Sequence, residues 1–196
     1  MRFLPGLICL LPLLSPLAHA ELIDDINDRG ELRIAVEANT PPFNFKDDDK
    51  LTGFEVELGQ LLASELDVRA DFVVTDGSDL LTGVESGKYD IAINHVAVTA
   101  DLSDRFDFSE PYVQTTTQMI AQKEEPRSIL LVQSLTEEKP KTNPAVSLVI
   151  PFQKGNPAFH ASLENALQRI KDDGRLHALE QKWLRADAGV MPKLQN

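Results

Sequence analysis

Apolar side chains recur along this chain at two spacings. The short run Leu32-Arg33-Ile34-Ala35-Val36 is almost all apolar, which predicts a strand buried on both faces. Asp71–Thr75 and Ile91–Ile93 read as two further strands, and AVSLVIPF (Ala145–Phe152) predicts one longer strand. Elsewhere the spacing is three and four. ELIDDINDR (Glu21–Arg29) predicts a short amphipathic helix with Leu22, Ile23 and Ile26 inward, closed by Gly30. Phe54, Leu58, Leu61, Leu62 and Leu66 mark a second helix, preceded by Thr52 and Glu55 at the spacing of a capping box. Leu80, Leu81 and Val84 mark a short helix over Asp79–Ser86. A further helix carries Phe159, Leu163, Ala166, Leu167 and Ile170, with Asn156 as its cap, Pro157 at its first position and Gly174 at its end. Leu176, Leu179, Trp183 and Leu184 belong to the next, and Trp183 is expected to pack it onto the sheet.

Strand and helix alternate, which is the signature of an α/β fold with a mostly parallel sheet of about five strands flanked by helices. Such sheets take ligands beyond the carboxyl ends of their strands. Three loops leave from those ends: Glu37–Phe45, Thr75–Ser78 and Asn94–Leu102. Pro41 and Pro42 lack an N–H and fix φ, so they end the first strand's ladder in an extended corner. The loop after the third strand reads as polar through to Asp107–Tyr112, and Gln118–Ala121 as a strand leaving the sheet. Lys46-Asp47-Asp48-Asp49-Lys50 is a charged turn. It lacks the spaced ligands and glycine of a calcium loop, so a solvated hairpin tip is expected.

Composition narrows the partners. With 31 acidic and 19 basic residues the formal charge is −12, which argues against nucleic acid and anionic lipid. Residues 1–20 read as a secretory signal: Arg2, an apolar run from Phe3 to Leu14, and Ala18-His19-Ala20 for cleavage. Cleavage would deliver the chain to the periplasm with no membrane insertion of its own. It would also remove the single cysteine, Cys9, so no disulfide or thiolate chemistry is expected. No cofactor motif occurs, and the remaining histidines lack the spacing of a zinc site. His95 has no nucleophile or carboxylate partner visible by spacing, since Asp90 and Asp101 are near in sequence only; His160 and His177 read as surface residues. An enzyme is not expected.

The motifs, taken together, resemble a known family. GELRIAV (Gly30–Val36), PPFNF (Pro41–Phe45), LTGFEVEL (Leu51–Leu58), SGKYDIAIN (Ser86–Asn94), DFSEPY (Asp107–Tyr112) and the block Lys154–Leu184 follow the order and spacing of bacterial extracellular solute-binding family three. These are the periplasmic polar amino-acid-binding proteins of ABC importers, and the wording is similar to the cystine-binding branch. The resemblance implies a two-lobed binding protein with an amino-acid ligand and an inner-membrane ABC permease as partners. It divides the chain into a signal (1–20), a discontinuous first lobe (21–113 and 144–187), a remnant of the second lobe or a linker (114–143) and a tail (188–196). That remnant has 30 residues, where a small domain takes about 50.

The resemblance also assigns cleft positions, and several depart from the family pattern. Aromatic residues that sandwich the ligand are replaced by Thr40 and Gly77, and the arginine that takes the ligand's α-carboxylate by Leu102. Arg105 lies three residues further on and is a poor substitute. His95 and Ala97 stand where the family has small or hydroxyl residues. Asn94 and Thr99 are polar and either bind ligand or tie the loop to itself. Phe43 and Phe45 either wall the cleft or pack under the proline turn. A charge-assisted hydrogen bond is worth ~1.5–3 kcal/mol, so losing the arginine alone weakens capture by about one to two decades. Three outcomes are expected: an amino-acid-binding component with impaired capture, a single-lobe interaction protein that has lost solute binding, or a decayed, internally deleted product.

Overall fold

In the computed structural model, residues 21–116 and 145–184 are described. The expected signal, the strand expected at Gln118–Ala121 and the tail 188–196 lie outside them. The first helix, α1 (Leu22–Arg29), stops where Gly30 turns left-handed at φ 70°. Strand β1 (Glu31–Val36) follows. Strand β5 (Arg69–Val74) pairs with it in parallel along its whole length, and β6 (Ile91–Ala92) pairs in parallel on its other side. With β10 (Pro151–Gln153) and β7 (Phe106–Phe108) the sheet order is β5-β1-β6-β10-β7. Only β10 runs against its neighbours, so the sheet is mostly parallel, as the sequence predicts.

Successive strand residues point to opposite faces, and the core divides accordingly. Leu32, Ile34, Val36, Ile91 and Ile93 face the larger cluster, with residues of α1, α2 (Phe54–Glu65), α5 (Pro157–Asp172) and α6 (Arg175–Trp183). Ala35 and Ala92 face the smaller one, with Leu80 and Val84 of α3 (Gly77–Glu85) and Phe106. Each large apolar side chain fully buried this way contributes about 1.5–3 kcal/mol.

A small antiparallel sheet covers the carboxyl end of β1: β2 (Asn39–Thr40), β3 (Asn44–Asp47) and β4 (Lys50–Thr52). Asp47 pairs with Lys50, leaving Asp48 and Asp49 as a two-residue loop with φ 46° and 64°. Those left-handed values match the turn that closes tight hairpins, and the charged run is the hairpin tip expected. Pro41–Pro42 forms a tight turn, not an extended corner. The Pro41–Pro42 bond is cis, and Phe43 N–H donates to the Thr40 carbonyl at 2.7 Å.

Other expectations are corrected. Thr52 ends β4, and the N-cap of α2 is Gly53, which has no side chain to cap with, so Thr52 and Glu55 form no capping box. Asn156 precedes α5 but its side chain caps α1's start instead, with Leu22 N–H donating to Asn156 Oδ1 at 2.9 Å. The stretch Ala145–Phe152 is two strands. Its first half, β9 (Ala145–Leu148), pairs antiparallel with β8 (Val113–Thr116) in a separate ribbon, and only β10 joins the main sheet. Before β8, the region read as a polar loop holds a short helix, α4 (Ala100–Arg105), and strand β7.

Candidate ligand-binding site

Four segments converge at the carboxyl ends of β1 and β6. Strand β1 runs into Glu37, β6 into Asn94 and His95, the β2–β3 turn into Asn44, and α2 carries Glu55 in its first turn. Glu55 is fully buried in the first turn of its helix, where the positive end of the helix dipole favours a carboxylate. Its Oε1 accepts from His95 N–H at 2.6 Å and from the Tyr112 hydroxyl at 2.6 Å, and its Oε2 accepts from Asn44 Nδ2. Burial, with the Glu55 charge beside it, pushes the Tyr112 hydroxyl well above the usual tyrosine range.

The network continues outward. Asn44 Nδ2 also donates to Asn94 Oδ1 at 3.0 Å. Asn94 and Glu37 then form a reciprocal pair: Glu37 N–H donates to Asn94 Oδ1 at 3.2 Å, and Asn94 Nδ2 donates to Glu37 Oε2 at 2.9 Å. Glu37 is half-buried. Its Oε1 lies 3.0 Å from where a Cβ on Gly77 would sit, so the start of α3 approaches it closely because Gly77 has no side chain.

Local backbone choices hold this arrangement. Gly53 has φ 124°, and a Cβ there would meet the Phe43 carbonyl oxygen at 2.3 Å. His95 adopts φ 43°, a left-handed conformation that costs a residue with a Cβ about 1–2 kcal/mol. The charge-assisted bond from its N–H to Glu55 offsets a cost of that size.

The predicted positions fare differently. Asn94 ties the loop to Glu37 and Asn44. Thr99 caps α4, accepting from Leu102 N–H at 3.3 Å. Ala97 bridges Leu148, fastening the loop to β9. Thr40 is buried, its hydroxyl donating to Asn39 Oδ1 at 3.0 Å. Leu102 packs against the smaller core cluster. His95 leans its ring on Phe43, 6.1 Å between centroids. Phe43 is buried under the turn, whereas Phe45 meets Trp183 of α6 edge-on at 5.9 Å, and Trp183 packs on the core as expected. Arg105 is held elsewhere: Nη2 pairs with Glu85 Oε2 at 2.5 Å and Nε donates to Oε1 at 3.2 Å.

Glu37, Asn44, Glu55 and Tyr112 were not foreseen as site residues. Glu37 stands at the strand end where ligands are expected, which is the one signal for it; the partners of Glu55 lie 11, 40 and 57 positions away and leave no local trace. The arrangement orients and holds polar groups. Among the described residues no group of three or more histidines, cysteines or carboxylates is placed to hold a metal ion. Asp90 is committed to Arg29 and Arg33, and His160 and His177 lie at the surface.

The sequence profile of the bacterial extracellular solute-binding proteins, family 3, matches residues 32–186. The L-cystine-binding protein TcyJ of Escherichia coli (strain K12) is 25% identical over 235 aligned residues, covering 87% of this chain and 88% of TcyJ. That aligned length exceeds the 196 residues here, so at least 39 positions of TcyJ have no counterpart in this chain. The L-cystine-binding protein TcyA of Bacillus subtilis (strain 168) is 32% identical over 106 residues, 53% of this chain and 39% of TcyA. Among solved structures, the ancestral amino acid-binding protein AncCDT-1, a precursor of cyclohexadienyl dehydratase, matches the fold with a TM-score of 0.68. It is 23% identical, with 85% of this chain and 100% of that one covered.

Proposed function

The chain belongs to the bacterial extracellular solute-binding proteins, family 3, and from that premise we propose that it is the binding component of an ABC uptake system for a small amino-acid-like solute. Capture takes place at the carboxyl ends of β1 and β6. The observation that carries this reading is the Glu37–Asn94–Asn44–Glu55 network, which fixes polar groups at the strand ends where α/β sheets of this kind take ligands. The reading assigns no chemical step to the chain. It works by non-covalent capture outside the cytoplasm and delivery to an inner-membrane permease. Residues 1–20 act as its export signal, 21–113 and 144–187 form its first lobe, and 114–143 stand in place of a second. No helix among the described residues is long and apolar enough to cross a membrane.

Capture is weaker than in two-lobed members. Leu102 stands where the carboxylate-binding arginine is expected, Arg105 is held by Glu85, and Thr40 and Gly77 offer no stacking ring. The gaps against TcyJ fit a reduced second lobe. A thermal melt with a panel of amino acids and related small solutes tests the proposal. A ligand at 100 times its dissociation constant adds ~2.7 kcal/mol to stability, an upward shift of the melt. A cooperative melt that no small solute moves would overturn it.

A second reading has its own support. Among the described residues, Val74 and Val98 are the large apolar side chains left exposed, at 47% and 51%, and both lie on segments at the strand ends. A partner protein covering that face would make the chain a single-lobe interaction module. Light scattering on the purified chain separates the two: a monomer that binds a small solute supports capture, and an assembly that binds none supports docking.

A further inference from the structure

Resting on the solute-capture reading, we infer that the strand-end face selects a small organic cation lacking a carboxylate, an aliphatic amine or guanidine, with Glu37 as its anion. Glu37 directly follows β1, and Asn94 fixes one of its carboxylate oxygens at 2.9 Å. The other oxygen lies 3.0 Å from where a Cβ on Gly77 would sit, a position that glycine leaves without a side chain. Among the described residues, no lysine or arginine stands within ion-pair distance of Glu37. Several arginines among the described residues are matched elsewhere: Arg105 by Glu85, Arg29 and Arg33 by Asp90, and Arg169 and Arg175 by Glu65.

A zwitterionic amino acid brings a carboxylate that needs a cation. The position expected to supply one carries Leu102, turned into the smaller core cluster. The incoming carboxylate instead meets the like charge of Glu37, a repulsion that disfavours it. An ammonium or guanidinium meets a half-buried anion held in place, and the net charge of −12 draws cations toward the molecule. Val74, paired with Val36 just before Glu37, is 47% exposed and offers apolar surface to an alkyl chain.

The test uses ligand pairs that differ only in the carboxylate: cystamine against L-cystine, putrescine against L-ornithine, cadaverine against L-lysine, and agmatine against L-arginine. Calorimetric titration of the purified chain should give tighter binding, by at least about tenfold, for the amine of one pair or more. Glu37→Gln should weaken that binding about 10- to 100-fold with its melt retained. Leu102→Arg should move preference back toward the carboxylated member. If the amino acid binds as well as its amine, the inference falls and solute capture stands. If no member of any pair binds, and no other small solute does, both fall. Amine binding that Glu37→Gln leaves unchanged overturns the assignment of Glu37.

Discussion

The two ends of the parallel strands treat buried charge differently. At the amino end, Asp90 precedes β6 with its side chain fully buried and is met by two cations. Arg29 Nη2 lies 2.6 Å from Oδ2 and Arg33 Nη2 lies 2.7 Å from Oδ1, while Arg33 N–H donates to Oδ2 at 2.8 Å. At the carboxyl end, Glu55 is held by a backbone N–H, a tyrosine hydroxyl and an amide, and Glu37 by an asparagine. The first arrangement ties α1 and β1 to the residue before β6 through paired opposite charges. The second holds its two carboxylates through polar donors, Glu55 fully buried and Glu37 half-buried. On the proposed reading, the amino end anchors the sheet and the carboxyl end meets the solute.

The largest effect should come from breaking the ion cluster. Asp90→Asn leaves two arginines facing a neutral group, at a cost of about 3 kcal/mol. That is the low end for such clusters, because Arg29 and Arg33 keep 30% and 26% of their side chains exposed. Urea unfolding measures it, and a loss under 1 kcal/mol would mean that this end is no anchor. Next comes Gly53→Ala, which disturbs the carboxyl end through the backbone. The left-handed φ and the clash with the Phe43 carbonyl predict a loss of about 2 kcal/mol. Ligand affinity should fall with it, while affinity in Asp90→Asn should hold in the fraction still folded.

The chain's two tyrosines report the same contrast by titration. A hydrogen bond with Lys88, and a second with Thr75, hold Tyr89 below the usual tyrosine value of about 10. Burial first, and then Glu55, hold Tyr112 above it. For Tyr89 the folded value is depressed, so its contribution is full above pH ~10 and is lost as pH falls through the folded value. For Tyr112 the folded value is raised, so its contribution is full below pH ~10 and is lost as pH rises beyond it. Tyrosinate absorbance should therefore appear in two steps, the first below pH ~10 and the second only as the protein unfolds in alkali. Tyr112→Phe should remove the second step and cost about 1 kcal/mol through its lost bond to Glu55. A single step near pH 10 would remove the burial argument for Tyr112.

The core was legible in the sequence, and the polar networks at the two strand ends were not. Leu32–Val36 and the helices carrying Leu58 and Leu163 announce themselves because burial repeats with the period of the element. Glu55 was read as a cap because Thr52 stands at the right spacing. The tertiary contacts of Asn44, His95 and Tyr112 claim its carboxylate instead, and spacing along the chain cannot reveal them. Ala145–Phe152 was read as one strand because its apolar pattern is continuous. The chain leaves the ribbon at Leu148 and joins the main sheet at Pro151, a change of partner that hydrophobicity does not encode. Three-residue strands such as β7 are too short for any alternation to register.

The smallest effect tests how far the recognition end depends on the segment between β8 and β9. These strands pair residue for residue from Val113 opposite Leu148 to Thr116 opposite Ala145. The chain therefore leaves and re-enters the ribbon at directly facing residues. The ribbon is rooted at the carboxyl end, since Tyr112 binds Glu55, Ala97 bridges Leu148, and Val149 N–H donates to the Val96 carbonyl at 2.9 Å. Facing residues of an antiparallel pair accept a two-residue turn, for which Asn-Gly has the required left-handed geometry. Replacing residues 117–144 with Asn-Gly should keep the cooperative melt within about 1 kcal/mol, because shortening a closed loop changes its closure entropy only slowly. Solute binding by the shortened chain would then place recognition wholly on the strand-end face. A retained melt with binding lost would put part of the recognition surface in the excised segment, and a lost melt would make that segment part of the fold's support.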